Sequence, residues 1–297
     1  MPTKLSKYCE GIMEAGWLFA IVAIPAFFNV YSSRIFEPDK LTLLRSLALL
    51  ILAAWIIKLL EAGHIRWDRL QPGESPLKAI LKLPLIAPVM AMAVVYIIST
   101  IFSVTPRTSF WGSYQRLQGL YTTFSYLVVF AAMVGNLRRR TQVERLITTA
   151  ILTSLPISLY GILQHYKIDP VPWGGDVSNR IAANLGNSIF VAAFLIMVLP
   201  LTIGRIVDAF RSILFESRGV VVNTVRATIY VFIMALQLIA IFFSGSRGPW
   251  LGMFAGIFFL LMLWTVLLRN RKLTIGIVVT TLVLGAMLVV FNIPNGP

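Results

Sequence analysis

The feature that most restricts this chain is its series of long apolar runs, separated by short segments that hold nearly all the charge. Crossing a hydrocarbon core of ~30 Å takes roughly 17 to 25 apolar residues in a helix. Nine segments meet that need: 15–31, 41–60, 83–103, 119–137, 146–163, 185–204, 227–243, 249–268 and 273–291. The fifth is interrupted by Pro156 and carries several Ser and Thr residues. Only 13% of the 297 residues are charged and 58% are hydrophobic, whereas a soluble domain carries about 25% charged residues. The expected fold is therefore all-α, a polytopic transmembrane bundle of about nine helices forming one domain over 1–297. The first run follows Lys4 and Lys7 but also Glu10 and Glu14. It has no small-residue cleavage site, so it reads as a retained helix and not a signal peptide.

The net charge of +14 does not point to nucleic acid, because the basic residues form no single patch or arm. They sort by side instead. The amino terminus and the segments following even-numbered runs hold 18 of the 26 Lys and Arg residues, among them Arg138, Arg139, Arg140, Arg205 and Arg271. The positive-inside rule then places the amino terminus in the cytoplasm and the carboxyl end of the ninth run outside. The opposite side keeps eight: Arg34, Lys40, Arg45, Arg107, Arg116, Lys167, Arg180 and Arg247.

Four of those eight stand where a cation is costly or is accompanied by groups that recognise anions and sugars. Arg247 lies in "SGSRGPWLG", a connection too short to leave the interface. Pro249 suits the first turn of the next helix and Ser246 or Gly248 its cap, so free N–H groups start beside the guanidinium, as in a phosphate site. The alternative is snorkelling to lipid head groups. Arg45 falls four residues into the second run, roughly 6 Å below the outer interface, where an ionisable group is a functional candidate unless it snorkels. Arg180 precedes Asn184 and Asn187 at spacings of four and seven, which would align all three on one helix face. A capped helix start, with Gly186 as a packing position, explains the same residues. Arg116 lies among Phe110, Trp111, Tyr114 and Tyr121, which could form an interfacial aromatic belt or stack on sugar rings.

The sequence holds no Walker loop, dinucleotide glycine pattern or Cys/His metal spacing, so neither metal nor nucleotide cofactor is expected. Its lone cysteine, Cys9, excludes an internal disulfide. Carboxylates are nearly missing from the runs, with Glu14 and Glu144 at their edges. Ion-coupled transport would ordinarily need such groups at the midplane.

Three motifs, "FWGSYQRLQGLYT", "NRIAANLGNSIFVAAFLIMVLPL" and "FSGSRGPWLGMFAGIFFLLML", follow one another on the expected outer side, after "FEPDKLTLLRSLALL". In that order they resemble the bacterial O-antigen ligase and O-antigen polymerase superfamily. The resemblance covers nearly the whole chain. It implies a glycosyltransferase of the bacterial cytoplasmic membrane. Such an enzyme moves a glycan from a polyprenyl diphosphate carrier to an acceptor hydroxyl on a lipid or glycan, at the periplasmic or extracellular face. Arg247 and Arg180 then match arginines that hold the donor diphosphate, with Arg45 and Arg116 as helpers and Asn184, Asn187 and Ser246 beside them. The family continues into a large outer loop bearing a catalytic His and further helices. The chain is accordingly expected to be an amino-terminal part, inactive by itself, with the acceptor base beyond residue 297. His165 does not match the family position. The alternative from a different class is a transporter or flippase of lipid-linked saccharide.

The orientation has a direct test. Cysteine labelling or reporter fusions should place 138–145 and 269–272 in the cytoplasm and 174–180 outside. Labelling of 138–145 from outside would reverse the orientation.

Overall fold

The computed structural model describes residues 3–32, 34–62, 85–169, 171, 176–215, 219–267, 269 and 271–291. Among them every regular element is helical: α1 Lys4–Ala26, α2 Glu37–Ala62, α3 Ile86–Ile101, α4 Pro106–Trp111, α5 Leu120–Asn136, α6 Arg140–His165, a 3-10 turn Ala183–Leu185, α7 Ser188–Phe215, α8 Val220–Phe243, α9 Arg247–Leu267 and α10 Arg271–Phe291. Each of the nine apolar runs overlaps one of these helices, but the count of nine spans is not reached. Among the described residues six helices, α1, α2, α6, α7, α8 and α9, are long and apolar enough to cross a membrane. Helices α3 and α5 have 16 and 17 residues, which at 1.5 Å per residue give about 25 Å, short of the hydrocarbon thickness. The architecture is that of a multi-pass helical membrane protein. The expected cytoplasmic residues Arg66, Arg69, Lys78, Lys82 and Arg218 lie outside the described residues.

Local chemistry moves the first helix well upstream of 15–31. Thr3 Oγ1 accepts the Ser6 N–H at 3.1 Å, a side-chain cap that starts the helix at Lys4. Pro25 sits in its last turn, and Phe27 is extended (φ −75°, ψ 140°). Glu10 and Glu14 consequently lie inside α1. Glu144 likewise lies inside α6. All three carboxylates are ion-paired: Lys58 with Glu10 at 2.8 Å, Arg145 with Glu14 at 2.7 Å, and Arg205 with Glu144.

Pro156 does not break α6, which runs 26 residues through it. Its missing N–H leaves the Leu152 carbonyl without its helical donor. The neighbouring hydroxyls bond other carbonyls, Thr153 to Thr149 O at 2.8 Å and Ser154 to Ile151 O at 2.6 Å. Ser154 also accepts from Gln237 Nε2 of α8 at 2.7 Å, and that amide reaches Thr202 of α7 at 3.1 Å. A neutral polar trio thus joins α6, α7 and α8 in the bundle interior.

Two packed groups make up the bundle. Helices α1, α2 and α5 enclose Cys9, Met13, Trp17, Ile51, Ala54 and Ala132. Helices α6, α7 and α8 enclose Ile157, Val191, Leu195, Ala240 and Ile241, together with Ile181 from the segment before α7. Contacts of α1 with α6 link the groups, while α9 packs on α7 and α10 on α9. The connections 27–36, 112–119 and 176–187, and the 244–246 turn, adjoin the ends of α1, α5, α6, α8 and α9 at one end of the bundle, tied there by Arg180 to Ser244, Asn184 to Ala26, and Lys40 and Arg45 of α2.

The 112–119 connection folds tightly on itself. A Cβ at Gly119 would stand 2.3 Å from Gly112 N and 2.5 Å from Phe110 O. Both are backbone atoms that cannot yield. Gly119→Ala should therefore lower stability by on the order of 2 kcal/mol. Gly11→Ala, where a Cβ meets nothing within 4 Å, should be neutral or stabilising. Detergent-solubilised melting curves of both variants check this.

Candidate anion site at one end of the bundle

Arg180 and the loop carrying Arg247 meet at this end. The Ile181 N–H donates to Phe243 O at 3.3 Å, which lays the 180–181 backbone against the carboxyl end of α8. From there Arg180 Nε donates to Ser244 O at 3.4 Å and Nη2 to Ser246 Oγ at 3.3 Å. Ser246 is buried at 2% exposure, and its hydroxyl donates in turn to Ser244 O at 3.2 Å. Gly245 has φ +57°, and a Cβ there would stand 3.4 Å from Arg180 Cγ. Glycine thus serves the left-handed turn, and the Arg180 side chain lies at ordinary contact distance.

Arg247 is the first residue of α9. It is exposed and makes no hydrogen bond or ion pair with any described residue. Pro249 in the first turn has no N–H, so the open donors of this helix end belong to Arg247 and Gly248. A Cβ on Gly248 would meet nothing within 4 Å, so the helix end is accessible. One oriented guanidinium beside a helix amino terminus whose first residue is a second arginine suits a multiply charged anion.

The carboxylates at this end are engaged elsewhere. Glu37 pairs with Arg116 at 3.7 Å, Asp39 accepts from Asn29 at 2.7 Å, and Asp169 accepts from the Tyr160 hydroxyl at 2.8 Å. The Ser178 hydroxyl, with the Asn179 and Ser178 backbone N–H groups, holds the Asp176 carboxyl below the usual carboxylate range. Among the described residues none of them pairs with Arg180 or Arg247.

The other expected site residues are placed differently. Arg180, Asn184 and Asn187 do not share a helix face. Gly186 takes φ +73° against the Phe36 ring, and α7 starts only at Ser188. Asn187 Oδ1 accepts the Ile189 N–H at 2.9 Å and caps α7. Asn184 Nδ2 donates to Ala26 O at 2.8 Å, and its buried Oδ1 has no partner among the described residues. Arg45 is 9% exposed and does not snorkel. It donates to Thr122 Oγ1 at 2.9 Å and to the Trp111 and Leu117 carbonyls, each at 2.7 Å. Its guanidinium carbon lies 4.7 Å from the Tyr121 ring centre. Arg45 therefore pins the 112–119 connection. Arg116 stays on the surface, its side chain 69% exposed.

Two contributors had no sequence signal beyond their side of the membrane. Lys40, 7% exposed, donates to Asn184 O at 2.6 Å and Pro25 O at 3.5 Å. Gln164 Oε1 accepts the Ala182 and Ala183 N–H groups at 3.1 and 2.7 Å. Together they fix the 180–187 segment on which Arg180 is carried.

No protein-family model, curated protein or solved structure matches the chain. Among the described residues no group of three His, Cys, Asp or Glu side chains is arranged to hold a metal ion.

The two arginines of different surroundings should respond differently to loss. Arg45→Gln removes three hydrogen bonds, leaving Trp111 O without its side-chain donor, and should cost about 2 kcal/mol of stability. Arg247→Gln should change it by no more than about 0.5 kcal/mol, as a surface substitution does. Melting temperatures of the two variants beside the parent decide it.

Proposed function

We propose that the chain is a membrane glycosyltransferase resembling the O-antigen ligases, which takes a glycan from a polyprenyl diphosphate carrier at the outer face of a bacterial cytoplasmic membrane. The observation that carries this reading is the meeting of Arg180 with the Ser244–Ser246 turn that presents Arg247, at a helix amino terminus and without a carboxylate partner among the described residues. An acceptor hydroxyl attacks the anomeric carbon, the bond from that carbon to the diphosphate oxygen breaks, and negative charge grows on the leaving diphosphate. A cation oriented before the reaction stabilises that charge most in the transition state. Arg180 is oriented by Ser244 and Ser246, while Arg247 is free to close on the ligand. Lys40 and Arg45 act as positioning residues, because their donors go to backbone carbonyls.

The reading disfavours a path for the saccharide through the bundle. The interior trio of Ser154, Thr202 and Gln237 is neutral, whereas a flippase would need cations along the whole route for its diphosphate.

The test is binding and transfer in nanodiscs. Polyprenyl diphosphate should bind at least tenfold more tightly than polyprenyl monophosphate, and Arg247→Ala and Arg247→Lys should both remove that preference, since an ammonium cannot reproduce the planar fork. In a transfer-competent protein each should also lose on the order of 2 to 4 kcal/mol of transition-state stabilisation. Near-normal behaviour of the Lys variant would overturn the bidentate clamp.

A further inference from the structure

The polar trio between α6, α7 and α8 lacks one donor. Gln237 Nε2 donates to Ser154 Oγ and Thr202 Oγ1. Those hydroxyls direct their own protons to Ile151 O and Val198 O, at 2.6 and 3.3 Å, so neither can donate to the amide oxygen. Gln237 Oε1 is buried and has no partner among the described residues, although Gln237, Ser154 and Thr202 are each 0% exposed. An amide oxygen is seldom left without any bond in a folded interior.

Ser158 has the complementary deficit. It lies one turn beyond Ser154 on the same face of α6, is 0% exposed, and its Oγ is buried without a partner among the described residues. Thr153 and Ser154 bond back to carbonyls of their own helix, as such hydroxyls commonly do. Ser158 does not. Residues four apart on a helix have Cβ atoms roughly 5 to 6 Å apart, which sets the Ser158 hydroxyl one small molecule away from the amide that Ser154 holds at 2.7 Å. Helices α6 and α8 run the same way, since His165 at the end of one stacks on Phe243 at the end of the other. The next turn of α8 therefore brings Ala240, with its single methyl group, to the level of Ser158, and Ala240 and Ile157 share one buried cluster. On the opposite side of the trio Ile151, Val198 and Ile233 pack together and offer no polar group.

We infer that one internal water molecule sits in the join between α6 and α8, donating to Gln237 Oε1 and accepting from the Ser158 hydroxyl. A buried water needs two to four polar partners, and these two atoms supply a first acceptor and a first donor. A divalent metal ion does not suit the place, because it takes about six oxygen ligands and the trio includes no carboxylate. The site is separate from the anion site and does not rest on the glycosyltransferase reading. Its level in the bundle gives it a mechanical role. Pro156 of α6 and Pro200 of α7 stand two residues from Ser154 and Thr202, so the water braces the bundle where two helices each lack a backbone hydrogen bond.

The experiment uses the whole chain in detergent micelles, isotopically labelled at glutamine, with the water of the buffer as probe. The Gln237 side-chain amide, assigned by its loss in Gln237→Met, should give water cross-peaks of opposite sign in the laboratory and rotating frames, which marks a bound molecule and excludes proton exchange. They should vanish in Ser158→Ala, which keeps the Ser154 and Thr202 hydroxyls. Ser158→Ala should also lower the melting temperature of the parent by about 3 °C. In the Gln237→Met background, where the hydroxyl has already lost its bridge, the same change should leave the melting temperature unchanged or raise it. Absence of the cross-peaks from the parent, their persistence in Ser158→Ala, or an equal melting loss in both backgrounds overturns the inference.

Discussion

Backbone that leaves the helical pattern near an apolar medium must find partners for its carbonyl and N–H groups, and this requirement organises one end of the bundle. Helices satisfy themselves. The connections 27–36, 112–119, 176–187 and 244–246 do not, and long polar side chains reach into them. Lys40 takes the Pro25 and Asn184 carbonyls, Arg45 those of Trp111 and Leu117, and Arg180 that of Ser244. Gln164 supplies an acceptor to two N–H groups in the same region. The cations are there first as scaffold. Their charge accumulates as a consequence, because a carbonyl satisfies a donor without neutralising it.

The other end of the bundle solves the same problem with opposite charges. Lys58, Arg145 and Arg205 meet Glu10, Glu14 and Glu144, and Gln142 binds Glu14 while accepting the Arg138 and Arg139 N–H groups. Each of these three cations has an internal counter-ion. Where arginines are bonded only to carbonyls and hydroxyls, the missing negative charge must come from solvent ions or from a ligand. This contrast connects packing to the proposed chemistry more directly than the number of basic residues does.

The helices were legible in the sequence because a span needs an unbroken apolar stretch, and Lys or Arg mark its ends. The start of α1 was not, since Lys4, Lys7, Glu10 and Glu14 read as polar flank when their side chains are viewed one at a time. Their partners Lys58 and Arg145 are 48 and 131 positions away, and no local pattern announces them. The same limit applies to the site. The sequence singled out Arg180 and Arg247, but its spacing aligned Arg180 with Asn184 and Asn187 as though the helix were continuous. Gly186 in the left-handed region ends that continuity. What joins Arg180 to Arg247 is a backbone bond between Ile181 and Phe243, which depends on Ile181 being fully buried among α6, α7 and α8. A tertiary cause of this kind leaves no periodic trace. Gln164 and Lys40, whose roles arise wholly from it, were correspondingly unread.

The two arginines left at the site are unequal, and the inequality has mechanistic content. Arg180 has Nε and one terminal nitrogen committed to Ser244 and Ser246, so its position is set before any ligand arrives. Little side-chain entropy remains to be lost on binding, which is the advantage of a preorganised charge. Arg247 has no described partner and retains its rotamer freedom. It offers attraction at a distance and pays its ordering cost on contact. A diphosphate carrier would therefore meet a fixed cation at one phosphate and a mobile one able to follow the charge as the sugar departs.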